Sequence, residues 1–73
     1  MSWNFNYVSA DKSALKTEIE KQEHCPPALR EHLSKTVDHI EQPEGYSVRV
    51  ESNGHHDTYQ SFGSFRIERV KAV

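Results

Sequence analysis

Five histidines and one cysteine hold most of the metal-binding and nucleophilic capacity of this 73-residue chain, and their spacing decides how far it reaches. His24 and Cys25 are adjacent and followed by Pro26 and Pro27; His32 and His39 stand seven residues apart, hence on nearly one face of a helix. His55 and His56 sit between Gly54 and Asp57. Imidazole and thiolate are both ligands that zinc accepts. The paired Cys-x-x-Cys or His-x-x-x-His spacing that brings two ligands to one ion is missing, so His24, Cys25, His32, His39, His55 and His56 read first as solvated or structural side chains and only second as metal ligands. An imidazole beside a thiol can also lower the thiol's pKa and make a nucleophile. Here two prolines follow Cys25, and Gly45, Gly54 and Gly63 are scattered rather than gathered into an anion-cradling turn. A buried cysteine at an interhelical turn is the expected role. The carboxylates Glu18, Glu20, Glu23, Asp38 and Glu41 are spaced as on a solvated helix face. No catalysis and no cofactor are expected.

Two further groups suggest binding rather than chemistry. Trp3, Phe5 and Tyr7 alternate with Asn4 and Asn6, which puts three aromatic rings on one face of a strand. Such a row can stack nucleic-acid bases, but the helices described next need a surface to cover, and core is the expected fate. Arg49, Arg66, Arg69 and Lys71 would serve a nucleic-acid module if they projected from one sheet face. The overall charge argues against strong phosphate binding: residues 1–45 carry five Lys/Arg against eight Asp/Glu, residues 46–73 four against three, and the sum is −2. Tyr59 and Phe62 are better suited to anchor a protein partner, since aromatic side chains dominate such contacts. The candidate partner-binding residues are therefore Arg49, Tyr59, Phe62, Arg66 and Arg69.

The elements that must position these groups follow from periodicity. Residues 2–8 form a strand. Ser9 or Asp11 can cap a helix over 10–24, with Ala14, Leu15, Ile19 and Gln22 inward and Lys16 and Glu20 at a pairing distance of four. Pro26 and Pro27 stop it and suit the first turn of a second helix over 27–42, whose stripe is Leu29, Leu33, Val37 and Ile40 with Thr36. A single helix kinked at the prolines is the alternative. Glu44-Gly45 turns the chain into a strand over 45–52, where Tyr46, Val48 and Val50 alternate with polar residues. Asn53-Gly54 carries the strongest short hairpin signal. A last strand spans 64–71, with Phe65 and Ile67 inward, while 55–63 could extend the hairpin or form a loop. The expected fold is one α+β domain: two helices on one face of a small, mainly antiparallel three-stranded sheet, in the order β-α-α-β-β. The other face presents Asn4, Asn6, Ser47, Arg49, Glu51, Arg66 and Glu68.

No apolar run approaches the length needed to cross a bilayer. A single thiol suits a reducing compartment, and Met1 to Asn6 shows neither the basic start nor the apolar run of a secretion signal. This layout resembles small uncharacterised proteins of bacteriophages and prophages. The matching pieces are Met1-Ser2-Trp3-Asn4-Phe5, Ala10-Asp11-Lys12 with Ala14, Pro26-Pro27, Tyr46-Ser47-Val48-Arg49-Val50, Asn53-Gly54 and Arg66-Ile67-Glu68-Arg69-Val70. The chain departs from them in its His-rich stretch and its less Ala-rich first helix. The resemblance implies a phage-derived accessory protein without known activity and with no catalytic residues to carry over. With the lone thiol and the missing secretion signal, the expected place is the cytoplasm of a bacterial host. The leading expectation is contact with another protein, including a second copy of itself, because a small core without a staple gains from association. Nucleic-acid binding and histidine-based metal binding are the alternatives.

Overall fold

A computed structural model describes residues 2–57, 59 and 61–71, without the side chains of residues 61 and 62. The elements are β1 (Ser2–Ser9), α1 (Lys12–Glu20), α2 (Pro27–His39), β2 (Tyr46–His56) and β3 (Ser61–Lys71). The chain is an α+β fold with two helices and one antiparallel sheet of three strands in the order β1-β2-β3. The helices lie on one face, α1 against β1 and α2. The long sheet makes the molecule 43 Å in one direction and under 20 Å in the other two. No helix is long and apolar enough to cross a membrane among the described residues.

Both capping oxygens at the first helix are used. Asp11 Oδ1 accepts from Ser13 N–H at 2.9 Å, and Ser9 Oγ accepts from Asp11 N–H at 2.9 Å. The helix is shorter than the expected 10–24. After Leu15 and Ile19, the next positions of the inner stripe are Gln22 and Glu23, so another turn would bury nothing apolar. The chain instead turns twice, with Gln22 N–H on the Ile19 carbonyl and Cys25 N–H on the Gln22 carbonyl, and delivers Cys25 into the core. The prolines break the helices apart and Pro27 begins α2, so the kinked single helix does not form. Helix α2 also stops early, at His39 instead of residue 42. Ile40 is extended, and its carbonyl accepts from Lys12 Nζ at 2.7 Å. Gln42 Nε2 donates to the carbonyls of Ala10 and Tyr46 at 2.6 and 3.0 Å. Pro43 disfavours helical geometry at Gln42, and these bonds tie the ends of both helices to the start of β2. Lys16 pairs across the helices with Asp38 at 3.1 Å, not along its own helix with Glu20.

The turn into β2 has Tyr46 N–H on the Pro43 carbonyl and Gly45 at φ +87°, a position that requires glycine. The hairpin differs from expectation. Asn53-Gly54 is not its turn: both residues lie inside β2, opposite Ser64 and Gly63. Strand pairing runs without a slip to His56 and Ser61, so the strands are longer than 45–52 and 64–71. The connection spans 57–60, where Asp57 Oδ1 accepts from Tyr59 N–H at 2.9 Å. Trp3 is the reason. It faces Gly54, which faces Gly63, so the indole lies along a row with no side chains. A Cβ on Gly63 would stand 2.5 Å from Trp3 Cζ2. An aromatic ring large enough to fill that row outweighs the local turn preference of Asn-Gly.

The core is Leu15, Ile19, Leu33, Val37, Val48 and Val50, with Phe5, Tyr7, Leu29, Ile40 and Ile67 packed around it. Trp3 is only 6% exposed, so the aromatic row turns inward. Of the eight sheet residues expected inward, Trp3, Val48 and Val50 are buried, Phe5, Tyr7 and Ile67 half-buried, and two stand exposed, Tyr46 at 37% and Phe65 at 41%.

Candidate protein-interaction surface

Cover over the helix side of the sheet is uneven, and it is thinnest at Phe65 on β3 and Tyr46 at the start of β2. One row of the sheet runs Phe5, Ser52, Phe65 on the helix side. Phe5 is half-buried, Ser52 is 1% exposed, and Phe65 stands open. In the next row Tyr7 and Ile67 flank the fully buried Val50. Helix α2 meets β3 in a ring contact, His32 edge-on to Phe65 at 5.1 Å and 69°. A depression beside it is lined by Ile40, Glu41, Ile67, Glu68 and Arg69. β3 is also an edge of the sheet, so one side of its backbone hydrogen-bonding groups has no strand beside it among the described residues. Between Ser61 and Lys71 there is neither a proline nor a bulge, the usual devices that blunt such an edge.

The opposite face is mainly polar and internally paired, with Val8 exposed among its polar residues. Arg49 Nη1 meets Glu68 Oε1 at 3.0 Å, and Arg66 Nε lies 3.7 Å from Glu68 Oε2. Asn6 Nδ2 donates to Glu51 Oε1, and Ser64 Oγ to Asn53 Oδ1, both at 3.3 Å. The four cations proposed for nucleic acid do not share a face. Arg49 and Arg66 are on this open side, whereas Arg69 is paired with Val48 and Lys71 with Tyr46, which puts both on the helix side. The period-two alternation of a strand separates Arg66 from Arg69. With Glu51 and Glu68 beside Arg49 and Arg66, the open face is close to neutral.

The histidines do not converge either. His24, His32 and His39 are exposed while Cys25 is buried, and His55 and His56, as neighbours in β2, point to opposite sides of the sheet. No three His, Cys, Asp or Glu side chains gather to hold a metal ion among the described residues. Tyr59 is 95% exposed at the hairpin tip. The backbone of Phe62 pairs with His55, and its side chain lies outside the described residues.

Cys25 has a different role. It is fully buried beside Ser52, whose Oγ accepts from Trp3 Nε1 at 3.2 Å. Burial pushes the thiol up from its ordinary value of 9.0, while a hydrogen bond with Ser52 and the Arg30 guanidinium pull it the other way. A raised value means that the folded chain holds the thiol proton more tightly than the unfolded chain does. That contribution to stability is intact below the unfolded value and is lost as pH rises toward the folded one. The urea midpoint is therefore expected to fall as pH rises above 9.0, and Cys25→Ala should flatten that decline. A wild-type midpoint that follows the variant's pH profile would contradict this. Sequence reasoning found the burial of Cys25 but missed its partners: Ser52 belonged to no pattern until the register set it between Phe5 and Phe65.

The chain matches no family model, no curated protein and no solved structure in comparisons with each of the three.

Proposed function

We propose that this chain is a non-enzymatic accessory protein, of the bacteriophage or prophage kind its layout resembles, that acts by contacting another protein through the β3 flank. The observation that carries the reading is Phe65, an aromatic residue phased toward the core yet 41% exposed on an edge strand. An apolar side chain beside unsatisfied backbone groups can bury itself and extend the sheet in one event, the mode by which sheets add a partner's strand. Arg66 and Arg69 flank Phe65 and Ile67 on the two sides of the same strand, and Tyr59 stands at the tip of the same hairpin.

The test uses immobilised chain challenged with soluble bacterial proteins together with a labelled second copy. Phe65→Thr, which keeps strand propensity, is expected to lower retention of the partner by about tenfold or more, as loss of an aromatic anchor does. Lys35→Ala, on the exposed side of α2, should leave retention unchanged. Equal retention by wild type and Phe65→Thr would refute the assignment of the contact to β3.

A further inference from the structure

We infer that the occupant of the β3 flank is a second copy of this chain, with the two β3 strands antiparallel about a two-fold axis through Ile67. The inference rests on the proposed reading of β3 as the contact surface. It deepens that reading by naming the partner and the register.

The argument begins with symmetry. Two identical edges that meet about a two-fold axis form a closed, self-complementary contact. When the axis passes through a residue, opposed positions always share a side of the sheet, so both helical layers stay on one side and six strands form one continuous sheet. The charged stretch Arg66-Ile67-Glu68-Arg69 offers four central positions, and the charges separate them. With the axis at Arg66 or at Arg69, two guanidinium groups meet. With the axis at Glu68, two carboxylates meet. Like charges directly opposite one another destabilise strand pairs.

With the axis at Ile67 the central pairs are favourable. Arg66 faces Glu68 of the second copy, and symmetry repeats the pair. On the helix side Phe65 faces Arg69 of the second copy, an arrangement that sets a cation against an aromatic ring. Ile67 meets its own counterpart. The side chains have room to do this: the Arg66 side chain is 60% exposed and reaches its own Glu68 only at 3.7 Å. The same charges that fit in this register oppose the neighbouring ones, which is how an edge without a proline or bulge can take one partner and refuse others. One pair of edge strands buries an area at the small end of specific interfaces, so affinity in the micromolar range is expected.

Three measurements test the inference. In sedimentation at about 1–200 µM, a concentration range that spans micromolar dissociation constants, wild type should approach twice 8.4 kDa. Arg66→Glu and Glu68→Lys should each weaken association about tenfold or more, because each creates two like-charge oppositions. An equimolar mixture of the two variants should associate more tightly than either alone, since both cross-copy pairs are then of opposite sign. Glu68→Lys also removes the ion pair with Arg49, so a register test independent of charge is needed. Ile67→Cys should cross-link to itself under mild oxidation, whereas Phe65→Cys should cross-link with Arg69→Cys and not with itself. Circular dichroism confirms that each variant is folded. A wild-type chain that stays monomeric across this range overturns the inference. If such a monomer still retains another protein in a Phe65-dependent way, only the second-copy assignment falls; if it does not, the β3 reading falls with it.

Discussion

Trp3→Ala is expected to remove a large part of the chain's folding stability. Removing a buried aromatic side chain costs about 3–5 kcal/mol, and a domain of 73 residues has only about 4–11 kcal/mol in total. Three losses add at this position. The ring leaves the row formed by Gly54 and Gly63, where no neighbouring side chain can fill the space. Ser52 Oγ loses the donor Nε1 in a buried place. The strand end that holds β1 to the far part of β2 loses a large apolar side chain. Circular dichroism in urea is the measurement, because the substitution removes the sole tryptophan. Trp3→Phe separates the contributions: it keeps most of the apolar area and forfeits the hydrogen bond, at about 1–2 kcal/mol.

Gly63→Ala attacks the same contact from the other side. Its Cβ would meet Trp3 Cζ2 at 2.5 Å and the Asn53 carbonyl oxygen at 2.7 Å, so either the indole or the strand must move. Overpacking of this kind costs about 1–3 kcal/mol. In the Trp3→Ala background the ring contact is gone, and the alanine should cost markedly less. Strict additivity of the two changes would show that Trp3 does not rest on the glycine row.

Leu33→Ala should have a comparable effect by a different route. Leu33 is fully buried at the centre of α2's inner face, in the cluster that joins Leu15, Ile19 and Val37 to Val48 and Val50. Truncating a leucine in such a place costs about 2–5 kcal/mol, the larger values applying where the surroundings cannot collapse into the cavity. Collapse is restricted here because the helices are tied at both ends. Lys16 joins Asp38, Lys12 holds the Ile40 carbonyl, and Arg30 Nη1 donates to the Glu20 carbonyl at 3.2 Å. The urea midpoint should fall sharply with little change in slope, whereas Leu29→Ala, at the half-buried margin, should lower it less. Equal losses at the two positions would place the centre of packing elsewhere.

The two substitutions also show which features of this molecule could be read in advance. The stripe containing Leu33 and the alternation containing Trp3 are local patterns, legible from neighbours three, four or two residues away. Gly45 as the turn into β2, the inward phase of the aromatic row and the burial of Cys25 were legible in the same way. The contact residues were less so. Arg49 and Arg66 share a face with each other but not with Arg69 and Lys71, and nothing along the chain marks the exposure of Phe65, which carries the same inward phase as the buried Val50.

The amino-acid sequence by itself determined the kinds of element, their order and which residues of each strand share a side, because these depend on backbone geometry repeated every two or every three to four residues. Tertiary structure alone decided where the hairpin turns, where the helices stop and which strand is left uncovered. Those outcomes depend on sums over distant partners. The fit of one indole against two glycines kept Asn53-Gly54 in a strand, and the ties at Ile40 and Gln42 ended α2 early. Two short helices are wide enough to bury Val48, Val50 and Ser52 of β2 completely and β1 in part, and Phe65 stands open because their width runs out at β3.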